Sequence, residues 1–203
     1  CTKKDTVTVL VKPLPANLSA GSNSPVCEGA NLQLTGNTSS SGVSFSWAGP
    51  LSYGSTAQNP TLVSVTPAAT GDYILTATLN GCTVKDTVYA LVNTNPAAPT
   101  AGSNSPVCIG QDINLTASTV SGATYTWVGP GGYSATTQNP VRTSTTSTMA
   151  GTYTVRAIRN GCYSVPANTN VTMVTAPNVN LYPSPKDSIC VGATVTFVAT
   201  PSN

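Results

Sequence analysis

The octapeptide Ala-Gly-Ser-Asn-Ser-Pro-Val-Cys stands twice in this chain, ending at Cys27 and again at Cys108, and the residues after each copy follow in the same order. Cys27 and Cys108 are 81 positions apart; Trp47 and Trp127, Tyr73 and Tyr153, and Cys82 and Cys162 are each 80 apart. A period of this size makes each copy one structural module, so a whole fold has to be completed within about 80 residues and then repeated. The ends keep the same phase, because the run from Cys1 restates the run from Cys82, and the run from Cys190 restates the one that opens at Cys27. The expected organisation is the last strand of a preceding repeat over residues 1–15, repeats over 16–96 and 97–177, and the first strands of a following repeat over 178–203. On this reading the 203 residues are a window on a longer array.

Within a repeat the hydrophobic period is two. Leu32 and Leu34 alternate with polar neighbours, as do Ile113 with Leu115 and Val195 with Phe197, which is the pattern of a half-buried strand. A second alternating run ends on Trp47 or Trp127, the residue expected to fill the core. Gly49-Pro50 and Gly129-Pro130 supply turns that lead through Tyr53 or Tyr133 to Gln-Asn-Pro at 58–60 and 138–140, and to a strand near 62–65. The next run puts Tyr73, Leu75 and Ala77 on one face, and Tyr153, Val155 and Ala157 in the other repeat; Asn-Gly at 80–81 and 160–161 then predicts a type I′ hairpin turn. A last strand over 85–92 runs into linkers holding Pro96 and Pro99, with Pro177 and Pro183 after the second repeat. Six or seven short strands with frequent turns predict an all-β chain of antiparallel β-sandwiches with Trp47, Trp127, Tyr73 and Tyr153 in their cores, and no helix.

Composition excludes several functions. Charged residues are 7% of the chain, the net charge is +2 and the eight basic residues are scattered, so neither nucleic acid nor an anionic membrane surface is an expected partner. No apolar run reaches the roughly 20 residues of a membrane span, so no membrane insertion is expected in this segment. Histidine is absent, and the few acids do not repeat: Glu28 corresponds to Ile109, and Asp72 to Thr152. Acid–base or nucleophilic catalysis therefore has no recurring machinery, no Asp-x-Asp cluster offers a calcium site, and neither cofactor nor metal is expected. Tyr53 and Tyr133, flanked by Gly and Ser, are the candidate ligand contacts, exposed rings for a sugar to stack on; the competing role is to lid the Trp.

The cysteines fit no zinc spacing and read as disulfides, which places the chain in an oxidising compartment. The expected pairs are Cys27 with Cys82 and Cys108 with Cys162, each closing a loop of about 55 residues worth roughly 4 kcal/mol on chain-entropy grounds. Cys1 and Cys190 would stay unpaired within this segment and belong to neighbouring repeats.

Gly71-x-Tyr73 and Gly151-x-Tyr153, with Trp47 and Trp127 upstream, resemble the tyrosine corner and strand-C Trp of immunoglobulin-like (Ig-like) domains. The order Trp, Gln-Asn-Pro, Gly-x-Tyr also resembles the polycystic-kidney-disease (PKD) repeat, although the Gly-Asp-Gly that follows the Trp in many of those repeats is missing, and aliphatics such as Leu34 and Leu75 stand where antibody domains carry their intersheet cysteines. Asn-Ser-Pro-Val-Cys-x-Gly followed by Asn-Gly-Cys, at 23–29 with 80–82 and at 104–110 with 160–162, is similar to the Ig-like and PKD-like repeats of giant cell-surface adhesins of gliding bacteria, exported by the type IX route. The resemblance implies a non-catalytic, extracellular stalk or surface filament for adhesion or gliding. Its partners would be neighbouring repeats, polysaccharide or other cell-surface glycans, and further copies in a filament. Polysaccharide-binding accessory modules of a secreted enzyme are the alternative. Asp-(Ser/Thr)-aliphatic at Asp5-Thr6-Val7, Asp86-Thr87-Val88 and Asp187-Ser188-Ile189 resembles the O-glycosylation acceptor motif of surface proteins in the same bacterial group, making Thr6, Thr87 and Ser188 candidate acceptors.

Overall fold

The alternation seen in the sequence becomes alternate burial along the strands: Leu32–Asn37 buries every second residue, and Gly71–Leu79 turns Tyr73, Leu75 and Ala77 inward. In this computed structural model the backbone is described for residues 1–176, 178–184, 191 and 196–202. It divides into two compact units, Cys1–Pro96 with Arg159–Tyr163, and Ala97–Ile158 with the described part of Ser164–Asn203.

The first unit contains β1 (Ser19–Ser22), β2 (Val26–Cys27), β3 (Leu32–Asn37), β4 (Ser44–Gly49), β5 (Tyr53–Ser55), β6 (Thr61–Leu62), β7 (Gly71–Leu79), β8 (Cys82–Ala90) and β9 (Val92–Asn93). One sheet has the order β1-β3-β6 and the other β5-β4-β7-β8, both antiparallel, while β2 runs parallel to β9. Between them lie Leu32, Leu34, Trp47, Tyr73, Leu75, Ala90 and Val92, all buried.

The second sequence repeat follows the same plan with β10 (Ala101–Ser103), β11 (Val107–Cys108), β12 (Ile113–Ala117), β13 (Thr124–Gly129), β14 (Tyr133–Ala135), β15 (Val141–Arg142) and β16 (Gly151–Arg159), followed by β17 (Cys162–Tyr163), β18 (Ala167–Val171) and β19 (Met173–Val174). Its core is Ile113, Leu115, Trp127, Tyr153, Val155, Ala157 and Val171. The last long strand of the first unit is here broken into β17 and β18. Leu75 faces Asp86, but its counterpart Val155 faces Ala167, one residue further on, so Ser164-Val165-Pro166 holds one extra residue. Pro166 has no N–H to give the ladder, and where the strand is broken the Ala157 N–H donates to the buried Ser164 hydroxyl.

The repeated phrase Asn-Ser-Pro-Val-Cys is where the chain changes sheets. Asn23 ends the β1–β3 pairing with its side chain, accepting the Gln33 N–H at 2.9 Å and donating to Asn31 O at 3.1 Å, and Asn104 does the same with Asn114 and Asp112. The Ser24–Pro25 and Ser105–Pro106 peptides are cis, after which Val26 and Val107 enter the parallel pairings with β9 and β19.

Among the described residues there is no α-helix, only 3-10 turns at Pro50–Ser52, Pro67–Ala69, Pro130–Gly132 and Ser147–Met149. The strand expected near 62–65 is shortened to Thr61–Leu62, because Ser64 takes a φ of +48° and Pro67 opens a turn. Asn80 and Asn160 both have a φ of +51°, with Gly81 and Gly161 also positive, as the type I′ turn requires. Residues 1–16 take no regular secondary structure, and β20 (Asn178–Ser184) pairs antiparallel with β21 (Thr196–Ser202). Pro177 and Val195 lie outside the described residues.

A Cβ on Gly49 would sit 2.5 Å from the Tyr73 ring, and one on Gly129 2.5 Å from the Tyr153 ring, so the glycine of each Gly-Pro turn is fixed by close approach. Gly49→Ala is therefore expected to cost about 1–3 kcal/mol by overpacking. Gly54→Ala, whose Cβ meets nothing nearer than 3.9 Å, serves as the control. Urea unfolding of the two variants checks the difference; equal midpoints would refute the steric account.

Candidate functional site

Of the cysteines, the structure joins Cys27 to Cys162, with a Cα–Cα separation of 5.6 Å, and leaves Cys1, Cys82 and Cys108 as free thiols. This corrects both expected pairings. Cys27 faces Asn93 at the end of the parallel β2–β9 pair, whereas Cys82 faces Leu79 at the hairpin tip, the full length of β8 away. Nine residues of strand put those two ends about 26 Å apart, and a disulfide tolerates no more than about 7 Å between Cα atoms. The same geometry separates Cys108, facing Val174, from the turn that carries Cys162. Cys162 is fully buried, and the stretch Arg159–Tyr163 groups with the first unit, where Arg159 Nη2 also donates to Thr94 Oγ1 at 3.3 Å. The bridge spans 135 residues, so its entropic contribution, on the order of 5 kcal/mol, exceeds that of the expected short loops. Cys190 lies outside the described residues.

The tyrosine loops are built on the corner. Tyr73 Oη donates to Ala69 O at 2.9 Å, and Tyr153 Oη to Met149 O at 2.9 Å. Tyr53 and Tyr133 are half-buried and meet the corner rings edge-on, with centroids 5.8 and 5.6 Å apart. This is the favourable edge-to-face arrangement of aromatic quadrupoles. In the second unit Arg142 adds a cation, 4.9 Å over the Tyr133 ring, and its Nη1 donates to Tyr153 Oη at 2.7 Å and to Pro130 O at 2.9 Å. Leu62 occupies that place in the first unit and packs against the core. Burial raises the Tyr73 phenol above its ordinary value, with a further push from Tyr53; burial also raises Tyr133, with Tyr153 adding and Arg142 opposing.

Trp47 and Trp127 are buried, and each indole N–H donates to the backbone of the Gln-Asn-Pro segment, to Gln58 O at 3.1 Å and Gln138 O at 3.2 Å. Gln58 Nε2 donates to Gly36 O, Asn59 Oδ1 accepts the Gly36 N–H, and Pro60 O accepts the Leu34 N–H. Gln138, Asn139 and Pro140 make the same bonds to Ala117 and Leu115. In the sequence this tripeptide stands only as a landmark before the next strand and in the PKD-like order, with no role for its side chains; the signal that it does more is that a Gln and an Asn recur before Pro at fixed distance from a Trp.

Of the candidate acceptors, Thr6 and Thr87 are exposed, and Ser188 lies outside the described residues. The Asp86 carboxylate accepts the Ala20 N–H at 2.7 Å and the Thr87 N–H at 2.9 Å, a strand-edge role that accounts for Asp at this position. Among the described residues no three His, Cys, Asp or Glu side chains gather into a metal-binding group, and no helix is long and apolar enough to cross a membrane.

No protein-family model matches the chain, and no curated protein does. Solved structures do. A chain in the crystal structure of a mouse coronavirus receptor-binding domain complexed with its murine receptor is 14% identical with a TM-score of 0.50, covering 79% of this chain and 100% of that one. Murine CEACAM1b is 15% identical with a TM-score of 0.46, covering 78% and 100%, and the mouse nectin-like molecule 4 ectodomain (Ig1–Ig3) is 15% identical with a TM-score of 0.34, covering 86% and 67%. Identities this low speak to fold alone. The likeness to the receptor-complex chain, together with the sheet orders above, makes the architecture an Ig-like β-sandwich.

Two outcomes are expected of the tyrosines. Tyr53→Ala and Tyr133→Ala should each lower stability by about 2 kcal/mol, below the 3–5 typical of a fully buried aromatic, as read by chemical denaturation; an unchanged midpoint would leave the rings free for ligand. The raised Tyr73 phenol means that the fold favours its neutral form, a contribution complete below the ordinary value of 10.0 and lost as pH rises through the folded pKa. Melting temperature should therefore fall above about pH 10, and Tyr73→Phe should flatten part of that decline.

Proposed function

We propose that this chain is a non-catalytic stretch of Ig-like repeats in a large secreted or cell-surface bacterial adhesin, serving as a disulfide-stapled stalk or surface filament for adhesion or gliding. The observation that carries the reading is the Cys27–Cys162 bridge between the Val-Cys phrase of one sequence repeat and the Asn-Gly-Cys turn of the next. A bond of that kind persists in an oxidising, extracellular setting and resists separation of repeat from repeat, which is what a load-bearing stalk needs. A sparsely charged, hydroxyl-rich composition suits a surface that avoids nonspecific capture. Proline-bearing linkers restrict bending, and stability accumulates module by module.

Two observations favour the stalk over a repeated lectin surface. Tyr53 and Tyr133 are engaged edge-on with the corner rings, and the residues before them change from Leu51-Ser52 to Gly131-Gly132 between repeats. Export by the type IX route and glycosylation at Thr6, Thr87 and Ser188 belong to the same proposal; native material should carry added hexose-range mass on the peptide holding Thr87, and an unmodified peptide removes that part. For the main reading, the oxidised chain is assayed against a broad panel of polysaccharides and host glycans. The stalk reading expects no saturable binding. Saturable binding lost in Tyr53→Ala and Tyr133→Ala would replace it with an adhesive, glycan-binding repeat.

A further inference from the structure

Two of the three free cysteines among the described residues, Cys82 and Cys108, stand in the same local backbone setting as the two that are bonded. Cys108 stands where Cys27 stands: Val107-Cys108 pairs parallel with Met173-Val174 as Val26-Cys27 does with Val92-Asn93. Glu28 N–H donates to Asn93 O at 2.8 Å, and Ile109 N–H to Val174 O at 2.9 Å. Gly29 and Gly110 follow with φ of +83° and +89°, and their N–H groups donate to Val65 O and Thr145 O at 2.8 and 2.9 Å. Cys82 likewise stands where Cys162 stands, the first residue after an Asn-Gly turn with both turn residues at positive φ. Thr94, which receives Arg159 beside the bridge, has Thr175 as its counterpart beside Cys108. Neither thiol is fully buried.

We infer that Cys108 and Cys82 are open positions of a repeating covalent register, in which the cysteine of each Ser-Pro-Val-Cys phrase bonds the turn cysteine of the next copy of the module. Cys108 takes a turn cysteine from a further copy, and Cys82 takes a phrase cysteine from another. The further copy is supplied either by the same polypeptide or by a second chain. Each bond forms by thiol–disulfide exchange: two thiols lose two protons and two electrons, and an incoming low-molecular-weight or protein disulfide is reduced to two thiols. The linkage is heterologous, a phrase to a turn and never like to like, so it propagates in one direction. It is independent of whether the array carries an adhesive tip or binds glycan, and glycan binding by the tyrosine loops would leave it standing.

The test is disulfide mapping of the natural secreted protein, alkylated before unfolding and digested without reductant. The expected result is that Cys27–Cys162 is intact, Cys108 is recovered bonded to a peptide whose cysteine follows Asn-Gly, and Cys82 to a peptide carrying Ser-Pro-Val-Cys. The mass of the intact protein without reductant then separates the two sources: a ladder of chain multiples means a second chain, and a single chain mass means a further copy in the same polypeptide. Recovery of Cys82 or Cys108 alkylated while Cys27–Cys162 is intact overturns the inference. So do bonds within a repeat, bonds between two phrases or two turns, and a Cys82–Cys108 bond closed inside a single chain. As a second reading, Cys108→Ser in the natural protein should release one alkylatable turn thiol and leave Cys27–Cys162 unchanged; no newly reactive thiol counts against the register.

Discussion

A buried indole carries one N–H that must find an acceptor, and much of each sandwich is arranged around meeting that demand. Trp47 lies in the sheet of β4, β5, β7 and β8, yet its N–H is answered by Gln58, whose own amide and whose neighbours Asn59 and Pro60 bond to the backbone of β3 in the opposite sheet. One tripeptide thereby satisfies the Trp and ties the two sheets at a single level of the core. The bonds reappear at Trp127 with distances within about 0.1 Å, although the residue answering Gly36 is Ala117. Polar satisfaction of this kind specifies register, since sliding β3 by one residue would strand every member of the set.

The all-β class, the sandwich, the repeat and the core aromatics were legible because each rests on local pattern: period-two alternation, Asn-Gly turns and the Gly-x-Tyr corner. The cysteine partners were not, and the reason is directional. Spacing inside a repeat places Cys27 and Cys82 near the start and the end of one module, but says nothing of which end of the sandwich each occupies. Because β2 runs parallel to β9, Cys27 lies where the final strand finishes, while Cys82 lies where β8 begins. Counting strand directions from the tyrosine corner would have exposed the conflict. For Tyr53 and Tyr133 the sequence offered both a ligand-facing ring and a lid over the core, since an aromatic between Gly and Ser has the same local pattern in either role; the contact with the corner tyrosines decides for the half-buried setting.

The two repeats also show which parts of the module tolerate change. Arg142 stands where Leu62 packs against the core, and it places a cation over the Tyr133 ring. Pro166 stands where the Asp86 carboxylate anchors Ala20 N–H, and the strand absorbs an extra residue there. Both changes lie at the margins of the sheets. The Gly-Pro turn, the corner tyrosine and the Gln-Asn-Pro clamp are the same in both copies.

The 135-residue reach of the Cys27–Cys162 bond has a consequence for how the chain meets proteases. The interval it encloses takes in the linker around the buried Pro96 and Pro99, whose neighbours Thr94, Asn95, Ala97, Ala98 and Thr100 are exposed and outside any strand, the setting in which a chain is open to cutting. A single cut anywhere in that interval leaves both fragments on one covalent thread. Severing the molecule there takes two separate insults, hydrolysis and reduction, and an environment rich in proteases but poor in thiols supplies only the first.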